Sequence, residues 1–156
     1  GDALAVVTLV KEENLILLTK KGYCIKFKID EITPTGRLTA GVKGINLSED
    51  DEVIAALPVR HSEDNLAIFG EKGYGKQIPL KEITSQKRGG KGISIYKPAL
   101  YGNISAGQLI NNEDMVLIVG NKTSICVKGE EIPIASRIAN GNLILKNNKI
   151  LSDRKV

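Results

Sequence analysis

The chain has 156 residues, of which 42% are hydrophobic and 26% charged, and these proportions exclude a disordered or fibrous protein. Sixteen glycines, six aromatic residues and no tryptophan indicate many tight turns and an aliphatic core, which favours an all-β fold. The net charge of +4 is uneven, because seven basic residues and only Glu82 lie between Lys72 and Lys97. Such a stretch forms either a phosphate-binding stripe or a solvated lysine-rich face.

The cysteine and histidine content limits which metals the protein could bind and indicates its cellular compartment. Cys24 and Cys126 are far apart, no CxxC pair is present, and His61 is the single histidine, so no metal-site spacing exists. Both cysteines lie in apolar, strand-like sequence, which predicts buried, reduced thiols and a cytoplasmic protein. The apolar run at residues 3–10 is too short to cross a membrane. We therefore expect no metal, no cofactor and no membrane partner.

Three related segments follow one another along the chain. Residues 16–27, 67–78 and 117–127 each contain an apolar run, a short turn with Gly or Asn, and a second run, which predicts a β-hairpin. A Glu-Ile pair follows each hairpin, and successive pairs are offset by 51 and then 49 residues. A repeat of this length is typical of propeller-like architectures. We predict one domain over residues 1–156, with repeats at about 11–60, 61–112 and 113–156.

The second strand of each hairpin alternates between apolar and polar residues. In the first copy the odd-numbered residues from Tyr23 to Ile29 are predicted to face the core, and the even-numbered residues from Cys24 to Asp30 to face outward. In the second copy an inward position is occupied by Lys76. This lysine either extends out of a bulged strand or contacts a ligand.

Each hairpin is followed by a linker with an arginine in register and a glycine after it. The runs at residues 53–57 and 105–110 predict strands that close the first two units. Each unit is thus about four short antiparallel strands without a helical pattern, which is typical of a propeller blade. The arginines are Arg37, Arg88 and Arg137, and the glycines assigned to them are Gly44, Gly92 and Gly141.

Residues 86–92, Gln-Lys-Arg-Gly-Gly-Lys-Gly, resemble the heptapeptide box QRRGGKG in the C-terminal domain of the DNA gyrase A subunit, with Lys87 replacing the first arginine. Residues 72–76 resemble the hairpin signature of that family, and residues 39–45 resemble the looser box of its other blades. The resemblance extends over nearly the whole chain and implies a β-pinwheel, a disc of propeller-like blades that exchange strands. Three repeats would form an incomplete ring, since the family domain has about six. Gyrase and the related topoisomerase IV remain alternative parents.

The resemblance also implies a function. The family domain wraps and bends duplex DNA on a basic rim without sequence preference, and assists the ATP-dependent topoisomerase without being an enzyme alone. Its partners would be duplex DNA, the other domains of the same subunit, and through them the ATPase B subunit. The alternative is an architectural or protein-interaction module that forms a homodimer, because an incomplete ring leaves blade faces exposed.

The predicted DNA contacts are basic side chains and one glutamine on strands and linkers. The arginines in register would present charge around an arc, and they could also brace adjacent blades through backbone carbonyls, since the two roles are compatible. The glycines of residues 86–92 would let backbone N–H groups approach phosphates. The predicted set is Lys26, Lys28, Arg37, Lys43, Lys76, Gln86, Lys87, Arg88, Lys91 and Arg137.

Overall fold

The computed structural model describes residues 4–146 and 149–155, and eleven strands account for most of the regular structure within them. A single turn of 3₁₀ helix follows each hairpin, and one short α-helix, Pro98–Tyr101, departs from the expected absence of helix. Among the described residues, no helix has the length and apolar character needed to cross a bilayer. The strands are β1 (Asn14–Thr19), β2 (Tyr23–Lys28), β3 (Val53–Val59), β4 (Asn65–Gly70), β5 (Tyr74–Pro79), β6 (Ile93–Ser94), β7 (Ile104–Ile110), β8 (Met115–Gly120), β9 (Ser124–Lys128), β10 (Asn142–Leu143) and β11 (Ile150–Lys155).

The strands form three antiparallel sheets, one for each repeat. Their strand orders are β3-β1-β2-β6, β10-β5-β4-β7 and β11-β8-β9. The three predicted hairpins are present as β1–β2, β4–β5 and β8–β9. The strands predicted at residues 53–57 and 105–110 are β3 and β7, each of which pairs with the first strand of its hairpin.

The fourth strand of each of the first two sheets comes from the next repeat. β6 pairs with β2, joining Cys24 to Ile93, and β10 pairs with β5, joining Gly75 to Asn142. Neighbouring blades therefore exchange strands, and the sheets of the described residues do not close into a ring. The predicted all-β fold with an incomplete ring of exchanged blades is confirmed.

One edge of each blade faces the centre of the arc and the other edge faces outward. β3 contacts β7, and β7 contacts β11, so these three strands lie where the blades converge. β6 and β10 lie at the opposite edge of their sheets. We use the name outer rim for β6, β10, the linkers at residues 85–92 and 134–141 that lead into them, and residues 39–45 of the first linker, which are hydrogen-bonded to the linker at residues 85–92.

The strand β2 is buried on both faces at its centre. Ile25 and Phe27 lie inside the first blade, as predicted. The alternation predicted that Cys24 faces outward, but Cys24 is fully buried, because it packs with residues of the second sheet such as Ile68. Its burial confirms the prediction from its apolar sequence context. Tyr23 was predicted to face inward, and it is 38% exposed. The alternation along β2 correctly predicted which residues face their own blade. It could not predict that the neighbouring blade covers the other face of the strand.

The two cysteines differ in environment. Both thiols are free, Cys24 is buried and Cys126 is exposed. The prediction that Cys126 is buried was wrong. Cys126 lies on β9, the end strand of the third sheet, and within the described residues no strand pairs with its outer edge.

Candidate nucleic-acid interface

The two box-like segments lie side by side on the outer rim. Gly89 donates its backbone N–H to the carbonyl of Gly44 at 2.7 Å, and Asn46 donates to the carbonyl of Gly90 at 2.8 Å. These bonds join residues 86–92 of the second repeat to the linker of the first repeat. The sequence singled out both segments, but only the fold shows that they form one surface.

Three exposed lysines project from these two linkers. Lys43 lies on the first linker, and Lys87 and Lys91 lie on the second. We call these three the rim lysines. Lys28 is also exposed where β2 ends, and Lys26 is half-buried beside it. The cations of this surface meet the requirement for phosphate contact, which is charge spaced along an accessible edge.

Arg88 braces the first two blades. Its backbone N–H donates to a carboxylate oxygen of Glu31 at 2.9 Å, and its Nε donates to the Glu31 carbonyl at 3.1 Å. Its Nη1 donates to the Lys43 carbonyl at 2.7 Å. The bracing alternative therefore describes Arg88. Gln86 is half-buried beside it and donates its backbone N–H to the Lys26 carbonyl at 2.8 Å.

Gly89 and Gly90 use their backbone N–H groups within the protein and do not form the predicted phosphate-binding turn. The N–H groups of Gly89 and Gly90 donate to the carbonyls of Gly44 and Lys87. These two donors are not available to a ligand, so the predicted cradle was wrong for them. A Cβ on Gly90 would lie 3.6 Å from Cδ1 of Ile25, which places this turn directly on the buried face of β2.

The glycine in register with Gly92 is Gly41, and the assignment to Gly44 was wrong. Gly41 and Gly92 each lie four residues after their arginine, Arg37 and Arg88. Their φ angles are +76° and +78°, a left-handed conformation that favours glycine.

Lys76 is fully buried, as its inward position on β5 predicted. Its Nζ donates to three backbone carbonyls of the third repeat, those of Ser136 at 3.0 Å, Arg137 at 3.1 Å and Ala139 at 2.7 Å. Burial lowers the pKa of Lys76 to about 8. This environment is incompatible with a DNA contact, and we leave Lys76 out of the candidate interface. The side chain does not extend to solvent either, because the linker of the third repeat covers it.

Arg137 is exposed, unlike Arg88. Burial raises the pKa of Cys24 to about 12, and the charges of Lys26 and Arg137 oppose this rise. Arg37 is exposed on the linker of the first repeat.

Sequence reasoning missed three polar residues that hold the linkers. Glu31 and Glu82 each accept the backbone N–H of the arginine one repeat later, Arg88 at 2.9 Å and Arg137 at 3.1 Å. Gln77 is fully buried and donates to two carbonyls of the third repeat at 2.7 and 2.5 Å. The Glu-Ile pairs that recur in every repeat were the available signal for the glutamates.

Exchanged strands, an open arc of blades and cations along the outer edge define this class of protein as a β-pinwheel domain. The family model described as "DNA gyrase C-terminal domain, beta-propeller" matches residues 13–60 and 64–110. The chain belongs to this family.

Relatives and solved structures agree with this assignment. The chain is 36% identical over 148 residues to the DNA gyrase A subunit of Kosmotoga olearia and 32% identical over 148 residues to that of Deinococcus deserti. Each alignment covers 90% of this chain and 18% of the relative. The fold is similar to the C-terminal domain of DNA topoisomerase IV, with a TM-score of 0.86 and 26% identity over 93% of this chain and 47% of that chain. It is also similar to the DNA gyrase A C-terminal domain, with a TM-score of 0.84 and 29% identity over 93% of this chain and 51% of that chain.

Proposed function

We propose that this chain binds duplex DNA without sequence preference and bends it along the outer rim. One observation carries the proposal: Lys43, Lys87 and Lys91 are exposed on two linkers that are hydrogen-bonded to each other. Contacts of this kind reach phosphates, and their free energy comes mainly from the release of counterions. Base recognition is not needed, because a curved row of cations favours a bent duplex of any sequence.

The module acts within the A subunit of a type IIA topoisomerase, either gyrase or topoisomerase IV. Its partners are duplex DNA, the other domains of that subunit, and through them the B subunit that hydrolyses ATP. It works in the cytoplasm, assists the change of DNA topology and performs no catalysis alone. The similarity to gyrase A subunits and to both solved C-terminal domains supports this part of the proposal.

Binding to a short and a long duplex of random sequence, followed by fluorescence anisotropy across a salt series, tests the function. We expect the longer duplex to bind more tightly and both affinities to fall steeply with salt, because a bent duplex contacts more of the rim. Weak binding that is independent of duplex length would contradict bending by this chain.

Neutralising the rim lysines with the triple substitution Lys43→Gln, Lys87→Gln and Lys91→Gln should weaken DNA binding for every sequence. If each lysine contacts one phosphate, the slope of log affinity against log salt becomes shallower by about 3. The affinity at moderate salt then falls on the order of 100-fold. The same salt series measures both quantities.

A triple variant that removes the same charge away from the rim provides the control. The control residues lie outside the outer rim. Lys11 precedes β1, Arg60 follows β3, and Lys155 is the last residue of β11. We expect Lys11→Gln, Arg60→Gln and Lys155→Gln together to leave the salt slope nearly unchanged. Equal losses in the two triple variants would show that net charge, and not the rim, determines binding.

A second candidate function is self-association through an exposed strand edge. In the described residues the outer edge of β9 is unpaired, whereas β6 and β10 cover the corresponding edges of β2 and β5. The residue of the first linker in register with Ile93 of β6 is Val42, which is 52% exposed and outside any strand. An unpaired edge readily accepts a strand from another chain. A second copy can therefore place Val42 against Ser124 on β9.

Cysteine cross-linking tests this pairing. Chains carrying Val42→Cys are mixed with chains carrying Ser124→Cys, both in a Cys126→Ser background. We expect a disulfide-linked dimer only in the mixture, because paired strands bring the two sulfurs within bonding distance. Leu38→Cys, which is also exposed, replaces Val42→Cys as the control. No cross-link together with a strict monomer in sedimentation would contradict the second candidate.

A further inference from the structure

The two contacts between neighbouring blades are braced from opposite directions. Between the first and second blades, Arg88 of the later linker reaches back to the carbonyls of Glu31 and Lys43. Between the second and third blades, Lys76 reaches forward from β5 to the carbonyls of the later linker, residues 136–139. Equivalent linkers are therefore held by different side chains.

The strand register identifies Lys76 as the departure from the repeat. Lys76 pairs with Ile68 across the second hairpin. The equivalent partners in the first and third hairpins are Ile25 with Leu17 and Ile125 with Ile118. An isoleucine in this position can pack under a linker, whereas a lysine can also donate hydrogen bonds to it.

Lysine chemistry matches the linker above it. An ammonium group has three donors and no acceptor. Ser136, Arg137 and Ala139 present three carbonyls within 3.1 Å of the Lys76 Nζ. All three donors are used, and the carboxylate of Glu82 acts favourably on the buried charge. The backbone of this linker is thus held in place without its arginine side chain.

The consequence concerns the guanidinium of Arg137. Within the described part of the chain, no hydrogen bond or ion pair involves this guanidinium, and the residue is exposed. The Arg88 guanidinium, by contrast, donates two hydrogen bonds to carbonyls of the first repeat. Two arginines that are equivalent in sequence thus have different contacts, and a lysine braces the linker of only one of them.

We propose that Lys76 is a positioning residue that holds residues 136–139 so that Arg137 presents its guanidinium to a DNA phosphate, while Arg88 joins the blades. This inference rests on the proposed DNA binding. It assigns separate roles to Arg88 and Arg137, whereas the sequence allowed both bracing and DNA contact for each arginine in register.

The first test compares Arg137→Gln with Arg88→Gln, using DNA binding across a salt series and thermal unfolding by circular dichroism. Arg137→Gln should make the salt slope shallower by about 0.9 and lower the affinity several-fold, with an unchanged unfolding midpoint. Arg88→Gln should lower the unfolding midpoint and leave the slope unchanged at temperatures where the variant is folded. The reverse pattern would overturn the assignment.

The second test is a double-mutant cycle between Lys76→Ile and Arg137→Gln. Isoleucine is chosen because both other repeats carry it in this position. Lys76→Ile alone should reproduce the shallower slope of Arg137→Gln, and it should add no further change in the Arg137→Gln background. Independent, additive losses would overturn the positioning role. If Lys76→Ile does not fold, Lys76→Gln, which retains an amide donor, takes its place in the cycle.

The outcomes separate this inference from the proposed function. If the unchanged chain does not bind DNA, both fail. If the unchanged chain binds DNA and Arg137→Gln binds equally well with the same salt slope, only the roles of Lys76 and Arg137 fail.

Discussion

Replacing Gly92 by alanine should destabilise the fold by at least about 3 kcal/mol. Gly92 has a φ of +78°, and a Cβ added there would overlap the carbonyl oxygen of Cys24. The overlapped atom belongs to the backbone of β2, which is paired with β6 at Cys24 and Ile93. Neither backbone can move without breaking the strand exchange between the first two blades. Urea unfolding followed by circular dichroism measures the loss.

Gly41→Ala is the matched control for Gly92→Ala. Gly41 has nearly the same φ, +76°, but a Cβ added there would have no atom within 4 Å. This variant should lose only about 1 kcal/mol, the cost of placing alanine in the left-handed region. The difference between the two variants isolates the close approach of the blades. If both variants lose the same free energy of unfolding, the close contact between Gly92 and the Cys24 carbonyl contributes nothing to stability.

Asp153→Asn should stabilise the protein at neutral pH and have little effect in acid. Asp153 lies on β11 opposite Ile118, and its Oδ2 is buried without a hydrogen-bond partner in the described part of the chain. Burial raises the pKa of this carboxyl from 3.8 to about 6. The folded state therefore binds the Asp153 proton more tightly than the unfolded state does. Stability is lost as the pH rises from about 4 through about 6, because the ionised form is disfavoured in the fold.

The size of this effect follows from the pKa difference. A shift of about two pKa units corresponds to about 3 kcal/mol, which is the largest gain that Asp153→Asn can produce above pH 7 from this cause. Urea unfolding at several pH values between 4 and 8 measures the gain. Asp30→Asn, which removes one negative charge at an exposed position, serves as the control for the change in net charge. A gain from Asp153→Asn that is the same at pH 4 and pH 8 would contradict desolvation of the carboxylate as its origin.

The hairpins were predictable because their signals are local. Alternating side chains and a turn residue identify each hairpin, and the strand predicted at residues 53–57 lies within β3, Val53–Val59. The box-like segment at residues 86–92 was recognisable from its sequence, and it carries two of the rim lysines. The prediction that its glycine-rich turn binds phosphate was wrong for Gly89 and Gly90. The sequence does not show whether a backbone N–H is free or already donates to a carbonyl, as these two N–H groups do.

Contacts between blades were not predictable from a single repeat. Cys24 is covered by the second blade, and Lys76 is covered by the linker of the third repeat. The burial of each side chain depends on residues about one repeat away in sequence, which the alternation within a strand does not encode. The exchanged strands β6 and β10 have only two residues each, too few for a periodic pattern.

By itself the sequence determined the all-β class, the three hairpins and the positions of the arginines, because period-two alternation, turn residues and the repeat length are short-range or periodic features. Only the tertiary structure decided which contacts those arginines make, because these contacts depend on the neighbouring repeat. Arg88 and Arg137 occupy equivalent positions, yet one donates to carbonyls of the preceding repeat and the other is exposed. The physical difference between the two sites is the residue beneath each linker: Ile25 offers no side-chain hydrogen-bond donor to the turn at Gly90, whereas the Lys76 ammonium donates to three carbonyls of residues 136–139.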